Sequence, residues 1–410
     1  MIGALIVAWV LSIALAHHLG ARVGRPAEGF LLGLVLGPIG TALSASMRPS
    51  PSPAPAAGAA ATATAGPTAN SQPVRLAGTG LWPRFLRWLT SLLEGRTAGM
   101  TDTTPRARVS VYLVMVGLLA LQVVARYKWG FLPEKEWQAV HMLIGWTLAF
   151  AVLAVAHGPG ILRRVARRTW IHLAVGAVSL TVFWYYGRSD SYREYFGSPP
   201  ADLDSLWPLV PFGYFALGAV LYRMGIPFLV ARLAYGLSFR DLGVPFGRVT
   251  PVGDEPGRVK GVGWIYLVAF LAIAPALVLA SHGPDYLAKY PLARDIISPE
   301  QGIWIVHFLV YEALYGLVFV SGESFWRGYL TFGMERDLGL YGLPLMLVPY
   351  VTGHFGKPFS ETLGAIVAGS LLGFLALKHR SVWLGVALHY GVALSMDLLT
   401  VGGNGFVIWS

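Results

Sequence analysis

The apolar residues of this 410-residue chain gather into runs of about 17 to 25, the length that carries an α-helix across a bilayer. Such runs leave little choice of architecture, because in lipid every backbone N–H and C=O must be paired within its own segment. Composition agrees, with 55% of residues hydrophobic and 13% charged, where soluble domains carry about 25% charged residues. The expected fold is all-α, a polytopic transmembrane helical bundle, and length sets the number of helices rather than of soluble domains. The formal net charge of +10 does not point to nucleic acid, since the basic residues are spread among short loops that would face anionic lipid. The absence of cysteine removes disulfides, thiolate nucleophiles, iron–sulfur clusters and thiolate zinc sites. Any chemistry falls to His, Glu, Asp, Ser, Lys or Arg.

Residues 1–47 read as an N-terminal membrane hairpin, with Arg22, Arg25 and Pro26 in its turn and a short, glycine-rich second arm. The first run lacks a basic start and a cleavage site, so it is expected to be a retained anchor. Residues 48–80 are rich in Ala, Pro and Thr, with almost no side chain large enough to pack, and read as a disordered linker. Over 81–96, Leu81, Phe85, Trp88, Leu89 and Leu92 recur at helical spacing beside Arg84 and Arg87, the pattern of an amphipathic helix lying in the membrane interface. Residues 107–300 then hold accessory transmembrane helices, and 301–400 a final group. About nine spans are expected after the linker, over 109–124, 138–156, 170–186, 207–221, 262–280, 303–325, 342–351, 363–377 and 382–399. The seventh must extend past Val351 to cross, and Arg223 and Pro227 leave the end of the fourth open. Arg163, Arg164, Arg167 and Arg168 mark the cytoplasmic side. Alternation from them places Arg240, Arg248, Arg258, Lys260 and the Lys378–Arg380 turn on the same side, and Asp202 and Asp204 on the other.

Ionisable residues inside spanning helices are costly and default to a functional reading. Glu323 and Arg327 stand at i,i+4, and Glu312 lies eleven residues earlier, about 20° off three full turns, so the three share a face. Read alone, Glu323 and Arg327 are a helix-internal ion pair. The next helix adds weight. A hairpin centred between Leu338 and Gly339 places Glu323 and His354 at matched depths, each up to about 23 Å from the turn, and His389 lies within the last helix. One Glu, one Arg and two His converging in a four-helix unit suit water activation, with a desolvated carboxylate taking a proton and imidazoles holding the water or stabilising an oxyanion. One Glu and two His are also a ligand set for catalytic zinc.

With these residues in view, the stretch from Glu312 to about residue 399 resembles the CPBP family of intramembrane glutamate proteases, which includes CAAX prenyl endopeptidases of the Rce type and bacterial Abi proteins. That family shows Glu-Glu-x-x-x-Arg, then Phe-x-x-x-His, then a late His followed four residues on by Asn or Asp. Glu323 and Arg327 match the second Glu and the Arg, Tyr350 and His354 stand for Phe-x-x-x-His, and His389 matches the last His. Gly322 stands where the first Glu belongs, and Ala393 where the final Asn or Asp belongs. The resemblance implies that 301–400 are catalytic helices of an intramembrane endopeptidase, with Glu323 as general base, His354 and His389 positioning water and stabilising the oxyanion, and Arg327 orienting Glu323. Glu312, Trp326 and Tyr350 would support the site or bind substrate. No cofactor is expected; if zinc were present, Glu323, His354 and His389 would hold it. The implied partner is a membrane-anchored protein or peptide, such as a C-terminal sorting or CAAX-like tail, in a bacterial inner membrane.

Two other readings compete. Gly322 and Ala393 would suit a catalytically degenerate membrane scaffold or immunity protein, and helices interrupted at Gly37, Pro38 and Pro227 would suit a transporter, although no matching halves are visible. His141, His157 and His172 raise haem ligation, but only His157 and His172 share a depth and they flank one short loop.

Overall fold

The computed structural model describes residues 108–200, 204–244, 263–298 and 302–409, together with Leu15, His18 and Leu19. The chain divides into two compact units, one of Met1–Gly3 with Arg96–Ser410 and one of Ala4–Gly95. The hairpin expected over 1–47, the linker over 48–80 and the interfacial helix over 81–96 lie outside the described residues, the three named above aside, as do Asp202, Arg248, Arg258 and Lys260.

The described residues of the larger unit are mostly helical. Its long elements are α1 (Val109–Lys128), α2 (Gln138–His157), α3 (Arg167–Tyr186), α4 (Val210–Val220), α5 (Ile226–Tyr235), α6 (Gly263–Ser281), α7 (Ile305–Glu323), α8 (Gly333–Leu338), α9 (Gly342–Thr352), α10 (Phe359–His379) and α11 (Trp383–Gly403). Among the described residues, seven stretches are long and apolar enough to cross a membrane: Ser110–Lys128, Lys135–His157, Trp207–Tyr235, Gly263–Ser281, Ile305–Thr352, Phe359–His379 and Trp383–Gly403. Nine were expected. The difference has two sources: α3 forms, but His172 and the Trp184, Tyr185 and Tyr186 end keep its mean hydropathy low, and Ile305–Thr352 holds two of the expected spans joined through the turn at Gly339. One short parallel pair, β1 (Gly302–Trp304) with β2 (Val407–Trp409), ties the start of α7 to the chain beyond α11.

Three details position the site. First, α4 does not stop near Leu221. A π-helical turn, Leu221–Gly225, carries it through Arg223 into α5, and the wider turn accommodates Pro227, whose ring lacks a donor and would clash inside a regular α-helix. Second, α7 runs through a π-helical stretch, Ser324–Phe332, into α8. Every residue from 321 to 332 and from 338 to 352 is buried, as expected of a helical hairpin apolar on all sides at the centre of a bundle. The outer helices instead expose Val155 (88%), Leu233 (76%) and Val178 (65%), side chains suited to hydrocarbon. Third, α9 extends only one residue past Val351, short of what a span would require. It ends at Thr352 after 11 residues, a rise of about 16 Å and half a bilayer core. Irregular backbone at that depth is tolerated only where protein buries it or it lines a cavity, and the loop after α9 does line one.

Specific contacts hold the central hairpin. Asp337, beside its turn, accepts hydrogen bonds from Ala166 N (2.9 Å) and Thr169 Oγ1 (2.6 Å). It thereby caps the positive end of α3. Around the hairpin, α7 packs on α4 and α11, α9 on α2 and α10, and α6 on α11. Gly328 makes the closest approach to backbone: a Cβ there would stand 2.7 Å from Leu242 O. Gly328→Ala is therefore expected to lower stability by about 1–3 kcal/mol, because backbone cannot step aside as a side-chain tip can. A thermal midpoint in detergent equal to wild type would show that the 238–244 loop yields.

Candidate active site

Glu323 closes α7 and Arg327 follows one turn on. Arg327 Nη1 donates to Glu323 Oε1 at 2.7 Å, and both side chains are 0% exposed. His389, on α11, donates Nδ1–H to the same oxygen at 2.7 Å. Removing a carboxylate from water costs several kcal/mol, and these two donors are what offset it. The second oxygen, Oε2, has no protein hydrogen-bond partner and is packed against α11 at Gly385, where a Cβ would lie 2.9 Å away. Glycine at 385 thus admits the carboxylate to α11, one turn before the histidine it engages.

His354 sits in the loop that α9 leaves open. Its Nδ1–H donates to Tyr350 O at 2.8 Å, while its own carbonyl accepts from Lys357 N and Thr362 Oγ1, each at 3.0 Å. A carbonyl and a carboxylate only accept, so both imidazoles carry hydrogen on Nδ1 and present Nε2 as a lone pair. The Tyr350 ring lies between them, 4.8 Å from His354 and 6.1 Å from His389 by ring centres, and Arg327 stands 4.6 Å over it. Trp326 packs edge-on against Tyr350.

A cavity of about 390 Å³ opens over this cluster, lined by His354, His389, Tyr350, Trp326, Gly322 and Arg223 and, further out, by basic side chains. Glu323 is not in its wall. The carboxylate lies behind His389 rather than beside the space a substrate would fill.

Of the residues singled out in the sequence, Glu323, Arg327 and His389 are joined by direct hydrogen bonds, and His354, Tyr350 and Trp326 share their cavity. Glu312 points elsewhere. Its Oε2 accepts from Tyr390 Oη at 3.1 Å, on the side of α11 where Asp397 accepts from Tyr311 Oη at 2.8 Å. Spacing along one helix set its azimuth but not which neighbour it would meet. His141, His157 and His172 are each occupied by local hydrogen bonds, to Leu132 O, Tyr341 Oη and Tyr329 O. Among the described residues, no group of three or more His, Asp or Glu is gathered closely enough to hold a metal ion. Three residues that matter here lie outside the motifs legible in the sequence: Arg223, Asp397 and Gly385. The first two are ionisable residues inside spanning helices, the very signal that singled out Glu323. Gly385 carries no signal without the structure.

A carboxylate fixed by an arginine, an imidazole fixed by that carboxylate and a second imidazole across a cavity, all inside a polytopic bundle, define the class of membrane-embedded Glu/His sites. Residues 300–395 match a protein-family model described as Type II CAAX prenyl endopeptidase, Rce1-like. The matched segment begins just before β1 and ends within α11, so it contains Glu323, Arg327, His354 and His389 and leaves the preceding helices outside. No curated protein and no solved structure matches the chain.

Proposed function

We propose that this protein is an intramembrane endopeptidase that activates water with a Glu–His pair to cut a membrane-associated protein, with a C-terminal sorting or CAAX-like tail as the favoured substrate and a bacterial inner membrane as the setting. The observation that carries the reading is the hydrogen bond from His389 to Glu323, with Arg327 on the same carboxylate oxygen and His354 across the cavity. The family match over 300–395 supports it.

The roles differ from those implied by the resemblance. Glu323 is sealed and shares one oxygen between two donors, which makes it a poor direct acceptor of a water proton. His389 Nε2 is the better base: it faces the cavity side, and Glu323 stabilises the imidazolium that forms. His354 Nε2 accepts the water's other hydrogen and aims its oxygen. The water oxygen attacks the peptide carbonyl as its proton passes to His389. The same proton then moves to the amide nitrogen, the C–N bond breaks, and an acid and an amine leave. Arg327 keeps Glu323 ionised and in place.

The test is to compare membrane proteins from cells carrying the wild-type protein with those from cells carrying His389→Ala. A longer precursor is expected to accumulate in the variant, and the purified wild type, reconstituted in bilayers, should cut it at a rate about 10²- to 10⁴-fold above that of the variant. Cleavage should be unaffected by a chelator, since among the described residues no third His, Asp or Glu joins the two imidazoles to complete a metal site. A scaffold, which Gly322 and Ala393 would suit, predicts no precursor and no cleavage by either form.

A further inference from the structure

Arg223 stands in the π-helical turn Leu221–Gly225, deep in the bundle and 8% exposed. Its Nη2 donates to Val318 O at 2.6 Å and Ser321 Oγ at 2.9 Å, and its guanidinium lies 5.0 Å from the Phe183 ring. All three partners are neutral. Its Nε has no protein partner, and among the described residues it forms no ion pair. Glu323 is the carboxylate that acts on it, but that group is already hydrogen-bonded to Arg327, so two buried guanidiniums share one negative charge. A buried cation in excess of its counter-charge is unfavourable, and its place on a cavity wall points to an anion that arrives from outside the chain.

Gly322 leaves the cavity wall bare beside Arg223. A Cβ at this position would lie 3.3 Å from Arg223 Nη1 and 3.5 Å from Trp326 Nε1. The glycine, the arginine and the tryptophan all line the cavity that reaches His354 and His389. Trp326 is 5% exposed, and its indole N–H meets no acceptor among the described residues. Two donors, one of them charged, thus stand beside Gly322 on the cavity wall, and a side chain at 322 would crowd the charged one. Further out, six more Arg and Lys side chains line the cavity, Arg188, Lys289 and Lys357 among them, against one carboxylate, Asp190. The positive charge is crowded enough that Lys289, half-buried and next to Lys357, has its pKa lowered, by burial first and by that neighbour second.

We infer that Arg223 and Trp326 form a carboxylate-binding subsite in the cavity beside Gly322, and that the peptide cut beside His389 is anchored there by a free carboxylate. The second half of this inference rests on the proteolytic reading. Two N–H groups match the two oxygens of a carboxylate, whereas a lipid phosphate buried there would leave oxygens without donors. The cations further out would draw the anion inward.

Binding to the full-length protein in nanodiscs tests the subsite directly. The probes are N-acetyl-tetra-alanine with a free C-terminal carboxylate, its C-terminal amide, and glycerol 3-phosphate. The carboxylate is expected to bind about tenfold more tightly than the amide, as a charge-assisted hydrogen bond allows. That preference should vanish in Arg223→Gln and also in Gly322→Val, which keeps the arginine's charge but puts a side chain against its Nη1. Equal binding of the two peptides, or a preference that survives both variants, overturns the subsite. Glycerol 3-phosphate binding more tightly than the carboxylate peptide overturns the peptide assignment in favour of a headgroup. A preference without any cleavage by the wild type sinks the proteolytic reading and leaves the subsite standing; cleavage without a preference does the reverse.

Discussion

Glu323→Gln is expected to lower the rate of peptide cleavage by about 10³- to 10⁴-fold while leaving the protein in the membrane, which is the scale seen when a base-orienting carboxylate is replaced by its amide. His389 Nδ1–H now donates to a charged oxygen at 2.7 Å. Gln offers a neutral oxygen or, turned over, an N–H that forces the imidazole into the other tautomer. Either way Nε2 loses the nearby charge that makes it a base. Single-turnover cleavage in bilayers reads the effect, and a rate within tenfold of wild type would mean that Glu323 is only a packed, neutralised residue.

Arg327→Met should produce the largest loss of stability of any single change at the site, about 3–5 kcal/mol, because it strips the counter-charge from a fully buried carboxylate. Both side chains are 0% exposed, so water cannot take over the role. The variant also gives up the contact between the guanidinium and the Tyr350 ring at 4.6 Å, worth about 0.5–2 kcal/mol. Thermal unfolding in detergent reads the loss. Adding Glu323→Gln to Arg327→Met should restore part of it, since a neutral pair leaves no unpaired buried charge. If the double variant is as unstable as the sum of the two singles, the destabilisation comes from lost packing rather than from charge.

The bundle was legible because the bilayer makes hydrophobic run length and helix length nearly the same quantity, so α1, α2, α6, α10 and α11 lie within a few residues of where the apolar runs place them. It was less legible where helices are interrupted. Arg223 and Pro227 looked like a boundary, yet a π-helical turn carries the chain through both. In the sequence the half-length of α9 looks like a span awaiting extension, whereas its early end is what exposes the His354 loop. The pair β1 and β2 is three residues a side and far apart in sequence, beyond the reach of any periodic signal.

The site divides in the same way. Glu323 and Arg327 are neighbours on one helix, and their pairing follows from i,i+4 spacing alone. His389 was placed in the membrane by its helix, but its hydrogen bond to Glu323 depends on Gly385 letting α11 approach, which no periodicity encodes. Glu312 shows the converse: it had the right face and depth, and met Tyr390 instead.

The central claim is that Glu323 and His389 act as one unit on water, and a double-mutant cycle on cleavage tests it most directly. Purified wild type, Glu323→Gln, His389→Ala and the double variant would be compared in bilayers on the same substrate under single-turnover conditions. Residues that act as a unit are strongly non-additive, so the double variant should be no slower than His389→Ala alone. A double variant slower by the product of the two single effects would mean that Glu323 and His389 serve separate steps, and would contradict the account.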